Sequence, residues 1–171
     1  MSVNIEPYYR DRDVAVFSKG PSFTVMVDTN LMTTGWQGGQ GVQWTDAAFD
    51  DDTFIVTFSN GLPGGFLLWG SNESADQFIS YTKNQPTYGF ATYCFGPWVI
   101  ATRTFEVYTL ASRMAGPLVP IVYTAGEPLY FSLRGLFTNE DESGFGFVTG
   151  AVSQIPDAVL TNNYLTVQVQ I

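Results

Sequence analysis

The sequence predicts a mainly β protein, a β-barrel or β-sandwich with long loops and one short helix, and three observations carry that prediction. The apolar runs are short and rich in Phe, Tyr, Val, Ile and Thr; they are closed off by Gly, Pro, Asn or Asp; and the last of them alternates strictly. Leu165, Val167, Val169 and Ile171 interleave with Thr166, Gln168 and Gln170, so that strand has one apolar and one polar face. A terminal strand that turns Ile171 inward suggests the ordered closing strand of a barrel or sandwich, since termini fray unless a sheet ties them down. At 171 residues the chain can bury roughly 70% of the surface it exposes when unfolded, enough for a real core.

Taken in order, residues 1–13 (MSVNIEPYYRDRD) carry neither a basic start nor an apolar run, and no secretory signal is expected. Tyr8, Tyr9 and Arg10 on this arm are residue types enriched at interfaces, and two readings stand: an arm offered to a partner, or one folded back on its own domain. Strands are expected at 23–27, 54–58, 65–69, 88–95, 98–110, 119–123, 129–133, 145–152 and 164–171. The one helix is expected at 72–82, where Ala75, Phe78, Ile79 and Thr82 follow helical spacing behind Ser71 or Asn72 as a cap. Residues 32–48, with Gly35, Gly38, Gly39 and Gly41 between Trp36 and Trp44, read as a long loop too glycine-rich to pack. The Pro- and Gly-bearing stretch 112–120 reads as a joint between an N-terminal region, 1–115, and a small C-terminal barrel-like unit, 116–171, unless the two are one continuous domain.

Composition narrows function more than it names it. The chain has no histidine, which removes Ser-His-Asp and Cys-His nucleophile activation and histidine-ligated metals. Its net charge of −9 and scattered basic residues oppose a phosphate backbone, so no nucleic-acid partner is expected. No apolar run approaches the length of about 20 residues that spans a bilayer, and no membrane partner is expected. The single cysteine, Cys94, reads as a small buried hydrophobe. The aspartates Asp46, Asp50, Asp51 and Asp52 lack calcium-loop spacing and read as a solvated acidic turn ahead of a strand, Glu140, Asp141 and Glu142 read as a solvated loop tip, and no metal or cofactor is expected. A carboxylate pair could run glycoside hydrolysis without histidine, but no motif singles one out, so the expectation is a protein that is not an enzyme.

Aromatic residues are the remaining signal. Trp69 and Trp98 fall in expected strands and read as core. Trp36 and Trp44 fall in the glycine-rich loop, where they serve a protein interface or ligand platform, or pack under their own loop.

The C-terminal stretch from Tyr123 carries Gly126, Pro128, Leu129 and Tyr130, then Gly135, Leu136 and Thr138, then Thr149, Gly150 and Val152, then Pro156 and the alternating strand Leu165 to Ile171. Here Gly135 is suited to a positive φ in a turn, and Gly150 to a bulge or close backbone approach. This succession resembles a unit of tailed-phage capsid decoration, or cement, proteins and covers about 50 of the 171 residues. The resemblance implies a β-barrel protein of the virion, assembled in the host cytoplasm. Such a protein binds the outer capsid surface, reinforces contacts between major capsid protein subunits, and is commonly a homo-oligomer, with a trimer favoured. The alternative is a carbohydrate-binding or host-attachment β module of the same kind of particle.

Overall fold

The computed structural model describes residues 14–45, 54–62, 64–70, 89–154 and 164–171. Within them the expectation of a mainly β fold holds: eleven strands and two short helices form a closed barrel and an open sheet. In chain order these are β1 (Val14–Ser18), β2 (Ser22–Val27), α1 (Thr29–Thr34), β3 (Gly41–Trp44), β4 (Ile55–Phe58), β5 (Gly65–Leu67), β6 (Gly89–Cys94), β7 (Trp98–Thr102), α2 (Leu110–Ala115), β8 (Pro128–Phe131), β9 (Phe137–Thr138), β10 (Gly150–Val152) and β11 (Leu165–Val169). The helix expected at 72–82 lies outside the described residues.

The barrel runs β2-β4-β3-β5-β6 and closes because β6 pairs antiparallel with β2; the β2–β4 pair is parallel and the other pairs are antiparallel. Period-two alternation decides which side chains enter it. Val25, Val27, Val42, Val56, Leu67, Ala91 and Tyr93 form one core with Leu31 and Trp36. Leu31 and Trp36 come from α1 and the residues just after it. Asp28 caps that helix by accepting a hydrogen bond from the Leu31 N–H at 2.9 Å, and Gly35, at φ +75°, ends it. Because α1 follows β2 directly, it closes the barrel end at which β2 finishes.

The sheet is antiparallel throughout, in the order β1-β7-β11-β10-β8-β9. It takes β1 and β7 from residues before 116 and its other four strands from residues after it. Leu165, Val167 and Val169 of the alternating last strand all face its core. The same core takes in Phe66 and Cys94, which are the outward residues of β5 and β6. Those two strands are therefore buried on both faces, one toward the barrel interior and one toward the sheet.

Residues 32–45, the described part of the stretch expected as a loop over 32–48, correct the sequence reading. They hold the end of α1, strand β3 and, between them, a buried seam joining barrel to sheet. The Gly39 N–H donates to the Leu67 carbonyl at 2.7 Å, the Gly41 N–H to that of Gly135 at 2.6 Å, and the Gln40 side chain to that of Arg134 at 3.0 Å. Thr102 and Thr104 both donate to the Gly38 carbonyl. Glycine is required here by contact, since a Cβ on Gly41 would meet the Phe131 ring at 2.5 Å. The segment expected as a strand at 119–123 has only an isolated bridge, Tyr108 with Pro120, and α2 occupies the start of the expected joint at 112–120. The strands expected at 98–110 and 145–152 are shorter, Trp98–Thr102 and Gly150–Val152.

Candidate functional site

The barrel end opposite α1 is an aromatic mouth. Phe23 opens β2, Trp44 ends β3, Phe54 precedes β4 and Phe95 follows β6; by strand parity each continues the row of inward residues up to the rim. Tyr93 forms the floor, fully paired, its hydroxyl donating to the Gly64 carbonyl at 2.7 Å. Trp44 lies over Tyr93 with ring centres 4.7 Å apart, and Phe23 stacks parallel to Trp44 at 5.9 Å. Phe54 stands edge-on to both Phe23 and Trp44, and Phe95 edge-on to Phe23. These are favourable offset and edge-to-face arrangements, so the rings hold one another in place. Yet Trp44 is 42% exposed, Phe54 59% and Phe95 37%. Burial pushes the Tyr93 hydroxyl up to about 12, with the adjacent Cys94 adding to the shift, so the floor is neutral at physiological pH. What the mouth offers a partner is apolar area.

A second feature lies at the sheet end of the molecule. Glu106, 4% exposed, receives Arg113 of α2 at 2.7 Å and Arg134 at 3.2 Å, while Arg113 also pairs with Glu142. Burial opposes the Arg113 charge, but hydrogen bonds and charge from Glu106 and Glu142 outweigh it and hold the guanidinium above its usual pKa. Glu142 accepts in addition from the Leu133 N–H, and Glu140 from the Leu110 N–H at 2.9 Å. Asp141 accepts from the Ser143 hydroxyl and from the N–H groups of Gly144 and Gly146, both of which have positive φ. The acidic run expected as a solvated loop tip is instead the internal frame of a turn. It carries Phe145, Phe147 and Val148, all exposed.

Beside that turn a cleft of about 560 Å³ opens between barrel and sheet, with Trp36, Phe58, Leu133 and Leu136 among its lining residues and Arg134 and Gln40 on its polar side. Among the described residues, no three of Cys, Asp and Glu gather as a metal-binding group, and no helix is long and apolar enough to cross a membrane.

Of the sequence-selected residues, Trp44 is at the mouth. Trp36 is 5% exposed inside the barrel core, its indole N–H donating to the Trp69 carbonyl at 2.9 Å, a placement nearer the packed one of its two readings. Trp98 is core and Trp69 is partly buried against the same core. Tyr8, Tyr9, Arg10 and the aspartates at 46 and 50–52 lie outside the described residues. Sequence reasoning missed Phe23, Phe54 and Phe95 as rim residues, although each sits at the end of an expected strand in phase with its inward positions. It also missed Phe145 and Phe147, for which the signal was an aspartate followed closely by two glycines. Compared with protein-family models, curated proteins and solved structures, the chain has no match.

Proposed function

We propose that this chain is a non-enzymatic decoration, or cement, protein of a tailed-phage head, which binds the outer capsid surface and stabilises contacts between major capsid protein subunits. The observation that carries this reading is the barrel mouth, a packed cluster of rings left partly exposed on a charge-poor, acidic chain. Contiguous exposed aromatic surface marks a place where another molecule sits, and interface cores are rich in rings and poor in charge. The likeness of the C-terminal third to capsid decoration units supplies the kind of partner, and the −9 charge suits a position away from packaged DNA.

Magnitudes favour a lattice over a lone partner. The exposed parts of Trp44, Phe54 and Phe95 amount to on the order of 250 Å², or about 6 kcal/mol at ~25 cal/mol per Å². Association itself costs about 4–15 kcal/mol, so one mouth binds weakly. Many copies on a symmetric shell, each tied to its neighbours, bind firmly.

The test is to mix the full chain with expanded, undecorated capsids. Ordered added density and greater resistance to heat or chaotrope support the proposal; failure to bind any capsid state ends it. A second reading, a carbohydrate-binding or host-attachment module, draws on the exposed Trp44 ring at a barrel mouth, a usual place for ligands. Glycan-array binding that disappears in Trp44→Ala would favour it over the capsid.

A further inference from the structure

We infer that Asn60–Gly61 is a self-modifying site, at which the Gly61 nitrogen attacks the Asn60 side-chain amide and converts that residue to isoaspartate and aspartate. The inference is independent of the barrel mouth and of the partner proposed for it. Asn60–Gly61 is the one Asn-Gly pair in the chain and lies in the turn that leads from β4 to β5. Gly61 has φ +81°, a conformation that a residue with a Cβ adopts only at a cost, so the turn takes glycine there. The turn is pinned on both sides of the pair. The Ser59 N–H donates to the Gly41 carbonyl at 3.0 Å, and the Ser59 hydroxyl to the Leu62 carbonyl at 2.9 Å. Between these pins Asn60 is exposed, and among the described residues nothing pairs with its side chain or accepts from the Gly61 N–H.

Both reacting groups are therefore free, and covalent structure already holds them close. Closing the bond from the Gly61 nitrogen to Asn60 Cγ makes a five-membered ring, the kind of intramolecular step that proximity favours. As that bond forms, the bond from Cγ to Nδ2 breaks, and the Gly61 N–H proton passes through solvent to Nδ2, which leaves as ammonia. Water then opens the ring. Cleavage between nitrogen and Cγ gives aspartate; cleavage between nitrogen and the Asn60 main-chain carbonyl carbon gives isoaspartate, in which the chain runs through the former side chain. Glycine also leaves the attacking nitrogen unshielded, since it has no side chain beside it. Two other asparagines show the contrast. After Asn30, the Leu31 N–H is engaged with Asp28; Asn139 donates its amide to Val122 and Glu127, and the Glu140 N–H after it is held by Thr138.

The change has a structural consequence, because Gly61 is buried against the 141–146 turn: a Cβ on it would meet Ser143 Cβ at 2.4 Å. Ser143 donates its hydroxyl to Asp141 at 2.9 Å and accepts from the Phe145 N–H at 3.2 Å. An isoaspartyl link adds a main-chain carbon just before Gly61, where there is no slack. It also adds a carboxylate to a chain already at −9. Conversion at Asn60 thus loosens the turn that carries Phe145 and Phe147.

The experiment incubates the full chain in mildly alkaline buffer, folded and in urea, and follows each asparagine by peptide mapping with mass spectrometry and by isoaspartyl-specific methyltransferase labelling. In the folded chain, conversion at Asn60 is expected about tenfold faster than at Asn30 or Asn139, a barrier difference of about 1.4 kcal/mol, with isoaspartate among the products. Asn60→Ser, which keeps a turn-forming residue and removes the amide, is expected to fold as wild type and to show no conversion between residues 59 and 62. Asn60 that stays intact in the folded chain while it converts in urea, or equal rates at the three asparagines, would overturn the site. Hydrogen exchange on aged and fresh protein reads the consequence. Faster exchange at Phe145 and Gly146 in the aged form is expected, and identical exchange would refute the coupling through Ser143.

Discussion

Cys94 and Tyr93 are adjacent residues with opposite destinations. One faces the sheet core and the other the barrel core, and burial pushes both groups up to about 12. The folded state thus keeps protons that the unfolded chain releases from about pH 8.5 for the thiol and about pH 10 for the phenol. Stability from these groups is full below those values and falls as pH rises toward 12. Urea unfolding at increasing alkaline pH is expected to show that decline, and Cys94→Ala to remove its lower part; a flat profile for wild type up to pH 11 would contradict the assignment. Native Cys94 is also expected to resist thiol reagents until the protein unfolds. At Gly39, φ is +87° and a side chain would collide with Thr102. Gly39→Ala is expected to cost about 3 kcal/mol, from left-handed strain together with overpacking, measured by chemical denaturation.

At the scale of elements, the alternating last strand was readable because a period of two survives in the residues themselves. Its inward set is the observed core set. The glycine-rich stretch was misread for a definite reason. Glycine marks both a free loop and a backbone pressed against a neighbour, and the neighbours here, Thr102, Phe131 and Gly135, are more than 60 residues away in sequence. The two helices went unseen because six residues give less than two turns of periodicity, leaving Asp28 and Thr109 as caps without a pattern behind them. The acidic run was misread similarly, since its partner Arg113 lies 29 residues away from Glu142. That network is open to test. Glu106→Gln leaves Arg113 and Arg134 facing a neutral group in a buried site and is expected to lower stability by about 3 kcal/mol. Asp141→Ala is expected to leave global stability within about 1 kcal/mol. It is also expected to speed hydrogen exchange at Gly146, whose N–H loses its carboxylate acceptor.

Among the described residues a barrel is laid against a sheet, with β5 and β6 contributing to both cores, and exposed apolar side chains stand at the barrel rim, on the 145–148 turn and along residues 107–122. Composition shows a ring-rich, charge-poor chain; only the fold brings Phe23, Trp44, Phe54 and Phe95, from in or beside four strands, to one rim. Replacing rim rings by small polar residues removes binding area without opening a deep cavity, so the fold should survive where the function does not. The most direct measurement is cryo-EM of expanded phage capsids incubated with wild type or with Trp44→Ser/Phe54→Ser, each checked for an unchanged circular dichroism spectrum. The account predicts ordered density for wild type, with the barrel mouth turned onto the coat lattice, and bare capsids for the variant. Equal decoration by both proteins, or wild-type density with the mouth facing solvent, would contradict it.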